Sequence, residues 1–233
     1  MKLSRKIRKL AQPLTYQRAW RRAQRAIFPL PLEPLLATVD RQRLHEIQQR
    51  YAGSAMEYAK YADIERWLPM NRERVQDLKL HRSAPKRVLD LGCGGGFFLF
   101  ILKRFGHFVL GLDMDRFPLF TDLLDLFDVP RVVWTIKAFE PLPDLGPKKF
   151  DWITAFSINF NLHYPGERLW GPAEWDSFLH DLQRHLAPGG KIFFALNPTF
   201  GRDYYTPELR DFFLSRGASV ERERILFRKG LRF

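Results

Sequence analysis

The chain has 233 residues, of which 45% are hydrophobic and 15% aromatic. This composition suits a packed globular domain with some extra length, and it excludes an intrinsically disordered protein. The net charge is +12, but residues 1–50 contribute +9 and residues 221–233 contribute +3, so the 170 residues between them are close to neutral. The basic character belongs to the two ends and says little about the substrate.

Targeting and redox signals are sparse. No stretch reaches the roughly 20 uninterrupted apolar residues of a spanning helix, and the basic N-terminus lacks the apolar core and cleavage site of a secretory signal. Cys93 is the single cysteine, so no intrachain disulfide can form. These features fit a reducing cytoplasm, and we expect a cytoplasmic protein without a metal site.

Residues 1–35 are predicted to form a basic amphipathic segment followed by a linker. Apolar residues recur at helical spacing in two stripes, with lysine and arginine on the other faces. The first stripe comprises Leu3, Ile7, Leu10 and Leu14, and the second comprises Tyr16, Trp20, Ala23 and Ile27. Pro13 should break or kink the helix, and the prolines of residues 28–34 predict a linker.

The remaining chain divides into two regions. Residues 36–85 have helical periodicity and are predicted as a lid region, with breaks at Gly53 and Pro69. In residues 86–233, short apolar runs alternate with helical segments, which predicts an α/β fold with a mostly parallel, doubly wound sheet. The expected strands are Arg87–Leu91, Phe108–Leu112, Arg131–Ile136, Phe150–Ala155, Lys191–Leu196 and Ser219–Phe227, and the expected helices are Phe98–Phe105, Pro118–Phe127, Pro172–Leu186 and Pro207–Ser215.

A glycine-rich turn follows the first predicted strand, in the sequence Val88-Leu-Asp-Leu-Gly-Cys-Gly-Gly-Gly-Phe97. Gly92, Gly94 and Gly96 lack the Cβ atoms that would keep a ligand away from the backbone. The amides at the start of the next helix suit a polar or anionic ligand group. Asp113 ends the second strand, 17 residues after Gly96, where a carboxylate can accept both hydroxyls of a ribose.

Dinucleotide dehydrogenases share this general pattern, but two features separate them from this chain. Their fingerprint is Gly-x-Gly-x-x-Gly, and the sixth position counted from Gly92 is Phe97. Asp90 lies two residues before Gly92, where a carboxylate repels a pyrophosphate but can engage an ammonium group. The pattern therefore favours an amino-acid-bearing nucleoside.

At this point the chain resembles the class I S-adenosylmethionine-dependent methyltransferases. The motifs are Val88–Gly96, Gly111-Leu-Asp113, Phe150–Ala155 and Leu186-Ala-Pro-Gly-Gly-Lys191, within residues 86–227. The resemblance implies S-adenosylmethionine as cofactor. It implies that the methionine part is held by Asp90, Gly92, Cys93, Gly94 and Gly96, the ribose by Asp113, and the adenine by Met114, Ala138 and Phe139. Cys93 is then the small residue of the turn rather than a nucleophile, because no paired base lies nearby in the sequence.

The segment Phe156-Ser-Ile-Asn-Phe-Asn-Leu-His163 occupies the place that faces the methyl group in this family. We therefore expect Phe156 to contact the cofactor. His163 is a candidate general base or substrate contact, and Asn159, Asn161 and Tyr164 are candidate substrate-binding residues. The Asn-Pro-Pro-aromatic signature of exocyclic-amine nucleic-acid methyltransferases is absent. Only 17 residues run from Gly217 to Phe233, so the final strand of the family's usual closing hairpin should be short, truncated or missing.

The sequence supports several functional hypotheses. The preferred one is methyl transfer to a small or glycan-like metabolite, with contact to the inner membrane face through residues 1–28. The alternatives are an RNA or protein methyltransferase guided by the basic arm, and a non-catalytic cofactor-binding module. A membrane-surface helix explains both the stripe and the charge of the N-terminal segment, and a nucleic-acid arm explains the charge alone. The stripe could also pack on its own domain or on a second copy.

Overall fold

The computed structural model describes residues 13–54, 56–158, 169–199 and 203–233. Within these ranges, seven strands form one sheet in the order β3-β2-β1-β4-β5-β7-β6. The strands are β1 Arg87–Leu91, β2 Phe108–Asp113, β3 Arg131–Val133, β4 Phe150–Ile158, β5 Leu186–Leu196, β6 Ser219–Glu221 and β7 Arg224–Phe227. The helices are α1 Pro13–Ile27, α2 Glu33–Leu36, α3 Arg41–Tyr51, α4 Ile64–Asp77, α5 Phe97–Arg104, α6 Pro118–Leu126, α7 Pro172–His185 and α8 Pro207–Ser215, with 3-10 turns at Glu57–Ala62 and Leu80–Arg82.

The register of the parallel strands brings the functional candidates to one edge of the sheet. Asp90 of β1 lies opposite Gly111 of β2 on one side and Thr154 of β4 on the other. Because these strands run in the same direction, the turns that follow them meet at the carboxyl edge. In open α/β sheets this edge is where ligands bind.

Helices cover both faces of the sheet and bury two apolar clusters. One cluster lies under α3 to α6 and includes the almost fully buried α5, whose side chains are nearly all apolar. The other lies under α7 and α8 and includes Trp175 and Phe213, both 0% exposed. No helix in the described part of the chain is both long and apolar enough to cross a membrane.

The structure corrects the expected single strand Ser219–Phe227 and agrees with the expectation that the final strand of the closing hairpin is short. Residues Ser219–Phe227 form two antiparallel strands, β6 and β7, rather than one. Arg222 adopts a left-handed backbone conformation, with φ of 51°, and allows the chain to turn between them. The hairpin fits in the short C-terminal segment because its strands have only three and four residues.

Other boundaries also differ from the sequence prediction, and β4 extends to Ile158 instead of ending at Ala155. Pro69 does not break the helix, because it lies inside α4. Ile64 and Leu68 of this helix are completely buried, and their packing outweighs the backbone hydrogen bond that the proline removes. β3 ends at Val133, three residues early. β5 begins at Leu186, five residues before the expected start at Lys191, and pairs with β4 through a register shift. Pro13 starts α1, consistent with proline's preference for the first helical turn.

Candidate functional site

The glycine turn occupies residues 92–96, between β1 and α5. Gly92, Gly94 and Gly96 have φ of 68°, 53° and 75°, a region that favours glycine. A Cβ atom built on Gly94 would meet only the Phe120 ring, at 3.7 Å, which is an ordinary van der Waals distance. The glycines themselves place no side chain between this backbone and a ligand.

Gly111 of β2 explains how the turn fits against the sheet. A Cβ atom on Gly111 would lie 2.5 Å from the Cys93 sulfur and 3.3 Å from Leu99. Cys93 packs into the space that the missing side chain leaves. Burial, with the nearby carboxylates of Asp113 and Asp90, raises the pKa of its thiol well above the ordinary value, so Cys93 stays protonated and serves packing.

Asp113, the last residue of β2, ties the turn to the strand. One carboxylate oxygen accepts a hydrogen bond from the Gly94 amide at 2.6 Å, and the other accepts one from the Met114 amide at 2.7 Å. Burial raises the pKa of Asp113, although these two amides lower it in part. Each carboxylate oxygen can accept a second hydrogen bond, so the group can still bind a diol.

Asp90 is buried at the end of β1, with 3% of its surface exposed. Its carboxylate accepts a hydrogen bond from the Thr154 hydroxyl of β4 at 2.7 Å. Burial raises the pKa of Asp90 to about 7, against lowering by Thr154 and by the positive charge of Arg74. A carboxylate so deprived of water gains most from a cationic ligand group that replaces its hydration.

Arg74 is a site residue that the sequence did not reveal. It lies on α4, and its guanidinium donates to the Ser157 hydroxyl and to the Asn71 side chain, both at 3.0 Å. The guanidinium carbon lies 4.5 Å from the centre of the Phe156 ring. Burial lowers the pKa of Arg74 despite the attraction of Asp90. The helix thus brings a positive charge to the end of β4, close to the negative charge at the end of β1.

Aromatic side chains pack near the glycine turn, and Phe120 is the ring that lies against Gly94. The ring centroids of Tyr61 and Phe120 are 5.3 Å apart, and those of Tyr58 and Phe117 are 4.8 Å apart. Trp67 of α4 packs on Tyr61 at 4.4 Å. These rings come from the Glu57–Ala62 turn, α4 and the start of α6. They form an apolar wall that can limit the access of water to the turn.

The remaining predicted residues fall into three groups. Phe156 contacts Arg74 and packs on Phe98, with ring centroids 4.8 Å apart, so it lies beside the charged pair. Phe139 is exposed and lines a surface hollow with residues of α7, and Ala138 packs on the cluster under α7 and α8, so their adenine contacts remain predictions. His163, Asn159, Asn161 and Tyr164 lie outside the described residues.

The charged groups at this edge of the sheet match the parts of S-adenosylmethionine. A buried carboxylate at Asp90 suits an ammonium group, the guanidinium of Arg74 suits a carboxylate, and Asp113 suits ribose hydroxyls. A pyrophosphate group bound here would place its negative charge near two carboxylates, which would repel it. Among the described residues, no group of three or more histidine, cysteine, aspartate or glutamate side chains is arranged to hold a metal.

Comparison with known proteins identifies the family. The family profile described as a methyltransferase domain matches residues 62–215, more than half of the chain. A ubiquinone biosynthesis O-methyltransferase from Nitrosococcus oceani is 32% identical over 160 residues, covering 67% of this chain and 61% of that protein. The protein of the same name from Klebsiella pneumoniae is 28% identical over 153 residues, covering 60% and 59%. The chain therefore matches about 60% of the length of these curated relatives.

A solved structure shows the same fold. A TehB-like methyltransferase from Corynebacterium glutamicum superimposes with a TM-score of 0.50 and 20% identity, covering 74% of this chain and 97% of that one. With the family match, this places the chain among the class I S-adenosylmethionine-dependent methyltransferase domains. The family, the mostly parallel α/β fold with an N-terminal helical extension, and S-adenosylmethionine as cofactor are thus confirmed as the sequence predicted them.

Proposed function

We propose that this protein transfers a methyl group to an oxygen atom of a small or glycan-like molecule. The observation that carries the proposal is the meeting of Asp90, Arg74 and Asp113 around the glycine turn. A buried carboxylate at Asp90, beside the half-buried charges of Asp113 and Arg74, is costly to keep, and a ligand with matching charges offsets that cost.

The chain's own residues would bind and align the reactants. Asp113 would hold the ribose, Asp90 the ammonium group and Arg74 the carboxylate of the methionine part. S-adenosylmethionine supplies a sulfonium methyl group for in-line transfer to a nucleophile. Alignment of the reactants and exclusion of water account for most of such a rate enhancement. The aromatic wall around Tyr61 and Phe120 would help to exclude water.

The choice of an oxygen acceptor rests on the relatives. Those from Nitrosococcus oceani and Klebsiella pneumoniae are named O-methyltransferases of ubiquinone biosynthesis. A hydroxyl acceptor must lose its proton during transfer, and a base with a pKa near neutrality suits that step. His163 is our candidate for this base, and Asn159, Asn161 and Tyr164 are candidates for orienting the acceptor, since all four follow the end of β4.

The test follows the methyl group from methyl-labelled S-adenosylmethionine. The purified protein is incubated with the labelled cofactor and a cell extract, which is then separated into small-molecule, protein and RNA fractions. We expect label in the small-molecule fraction with the wild type and a large decrease with Asp113→Ala. Label confined to RNA or protein would favour the alternative acceptors. No transfer, together with intact cofactor binding, would indicate a non-catalytic module.

A further inference from the structure

Helix α1 is attached to the domain by its polar face. The two terminal nitrogens of Arg21 each donate to one carboxylate oxygen of Glu221 at 2.9 Å. Arg25 donates to Asp77 at 3.0 Å and also pairs with Glu73. Asp77 in turn accepts from Arg224 of β7 at 2.7 Å. Ion pairs of arginine and carboxylate hold the helix against α4 and the closing hairpin.

The apolar stripe of α1 therefore faces outward. Tyr16, Trp20 and Ile27 are 62–63% exposed, and Phe28, directly after the helix, is 44% exposed. A surface helix normally buries its apolar stripe against the core and exposes its polar face. Here the orientation is reversed. The stripe of Tyr16, Trp20 and Ile27 is therefore not buried against its own domain, whereas the first stripe that the sequence predicted lies outside the described side chains.

The sequence of this segment is strongly basic, and further cations lie near the stripe. Residues 1–28 contain nine lysine and arginine residues and no acidic residue. The Arg82 guanidinium carbon lies 4.1 Å from the centre of the Phe28 ring. A cavity of about 600 Å³ beside Trp20 is lined by Lys79 and Arg228 among others. The carboxylates that also line it, Asp77 and Glu221, are paired with other arginines.

We propose that α1 docks the protein onto the surface of an anionic lipid bilayer. Exposed aromatic and aliphatic side chains would enter the interface, and the surrounding cations would contact the lipid headgroups. RNA would use the charge but would leave Tyr16 and Ile27 without apolar partners. A second copy of this helix would bring two strongly basic segments together without acidic partners, so a bilayer is the occupant that uses both features.

The docking surface is separate from the cofactor site. α1 packs on α4 and the hairpin, and the cavity beside Trp20 includes Lys86 and Lys191, next to the amino ends of β1 and within β5. The glycine turn lies at the opposite, carboxyl edge of β1. Substitutions in the stripe should therefore change vesicle binding without changing the affinity for S-adenosylmethionine.

The test is flotation of the full chain with vesicles of phosphatidylcholine alone or of phosphatidylcholine mixed with phosphatidylglycerol. The variant Trp20→Glu/Ile27→Glu removes two members of the stripe. The matched control is Phe108→Glu, because Phe108 is also 63% exposed but lies on β2, toward the other end of the sheet. We expect binding to the anionic vesicles, weakened about 100-fold by the stripe variant and unchanged by the control. Calorimetry with S-adenosylmethionine verifies that each variant is folded.

A second measurement does not depend on a disruptive variant. An environment-sensitive dye attached through Trp20→Cys should shift to the blue with anionic vesicles, and the same dye attached through Phe108→Cys should not. Absence of flotation by the wild type would overturn the proposal, as would equal binding by the stripe variant. Salt-sensitive binding to RNA without binding to vesicles would assign the surface to nucleic acid instead.

Discussion

Replacing Asp90 by asparagine should stabilise the cofactor-free protein, and the gain should depend on pH. Burial raises the pKa of Asp90 to about 7 from an ordinary value of 3.8. Below pH 4 the carboxyl is protonated in both the folded and the unfolded chain. Between pH 4 and pH 7 it is ionised only in the unfolded chain, so the free energy of unfolding decreases as the pH rises. Above pH 7 this decrease is complete.

The size of the effect follows from the displaced pKa. Each pKa unit corresponds to about 1.4 kcal/mol, and the folded carboxyl stays protonated for about two units above pH 5. The difference in unfolding free energy between Asp90→Asn and the wild type should therefore increase by about 2–3 kcal/mol from pH 5 to pH 8. In a domain of this size, that corresponds to a relative shift in melting temperature of about 5–10 °C.

Urea unfolding at pH 5, 6, 7 and 8 without cofactor measures this difference. The control is Asp211→Asn, which removes a carboxylate whose side chain is 77% exposed. A pH-independent difference for Asp90→Asn would refute the argument. It would mean that Asp90 is ionised in the folded protein throughout this range and that burial does not govern its titration.

Four other predictions concern the cofactor and the turn. Affinity for S-adenosylmethionine should fall as the pH decreases from 8 to 6, because Asp90 becomes protonated near pH 7, and calorimetry should show a flatter profile for Asp90→Asn. Asp113→Ala should weaken cofactor binding about 10- to 1000-fold, whereas Asp211→Ala should not, and a change within about twofold would place the ribose elsewhere. Arg74→Gln should weaken it about 10- to 100-fold through loss of a charge-assisted contact, with the exposed Arg43→Gln as control, and equal effects would remove Arg74 from the site. Gly111→Ala should lower the unfolding free energy by about 1–3 kcal/mol, because its Cβ would lie 2.5 Å from the Cys93 sulfur, and an unchanged urea midpoint would contradict that packing.

Much of the sheet could be predicted because its signals are local. The apolar run Arg87–Leu91 and the glycine turn after it lie close together in the sequence, and the structure gives the same strand bounds. The hairpin could not be resolved in the same way. The apolar residues of Ser219–Phe227 predict one strand. The turn between the two strands becomes evident only in the structure, from the left-handed backbone conformation of Arg222.

Site residues that belong to a local sequence motif could be predicted. Site residues that come from a distant element of the fold could not. Arg74 lies 16 residues before Asp90 on an amphipathic helix, and no sequence pattern distinguishes it from the neighbouring arginines. Its role depends on how α4 packs beside β4, which is a long-range contact. The orientation of α1 is hidden for the same reason. Helical spacing identifies an apolar stripe, but the carboxylates that hold the opposite face come from residues 73, 77 and 221.

Calorimetric titration with S-adenosylmethionine, its demethylated product and NAD tests the central claim most directly. The charges at Asp90, Arg74 and Asp113 match an amino acid joined to a nucleoside, and they oppose a pyrophosphate. We predict binding of S-adenosylmethionine and of the demethylated product, with no detectable binding of NAD. Tight binding of NAD with no response to S-adenosylmethionine would contradict the account.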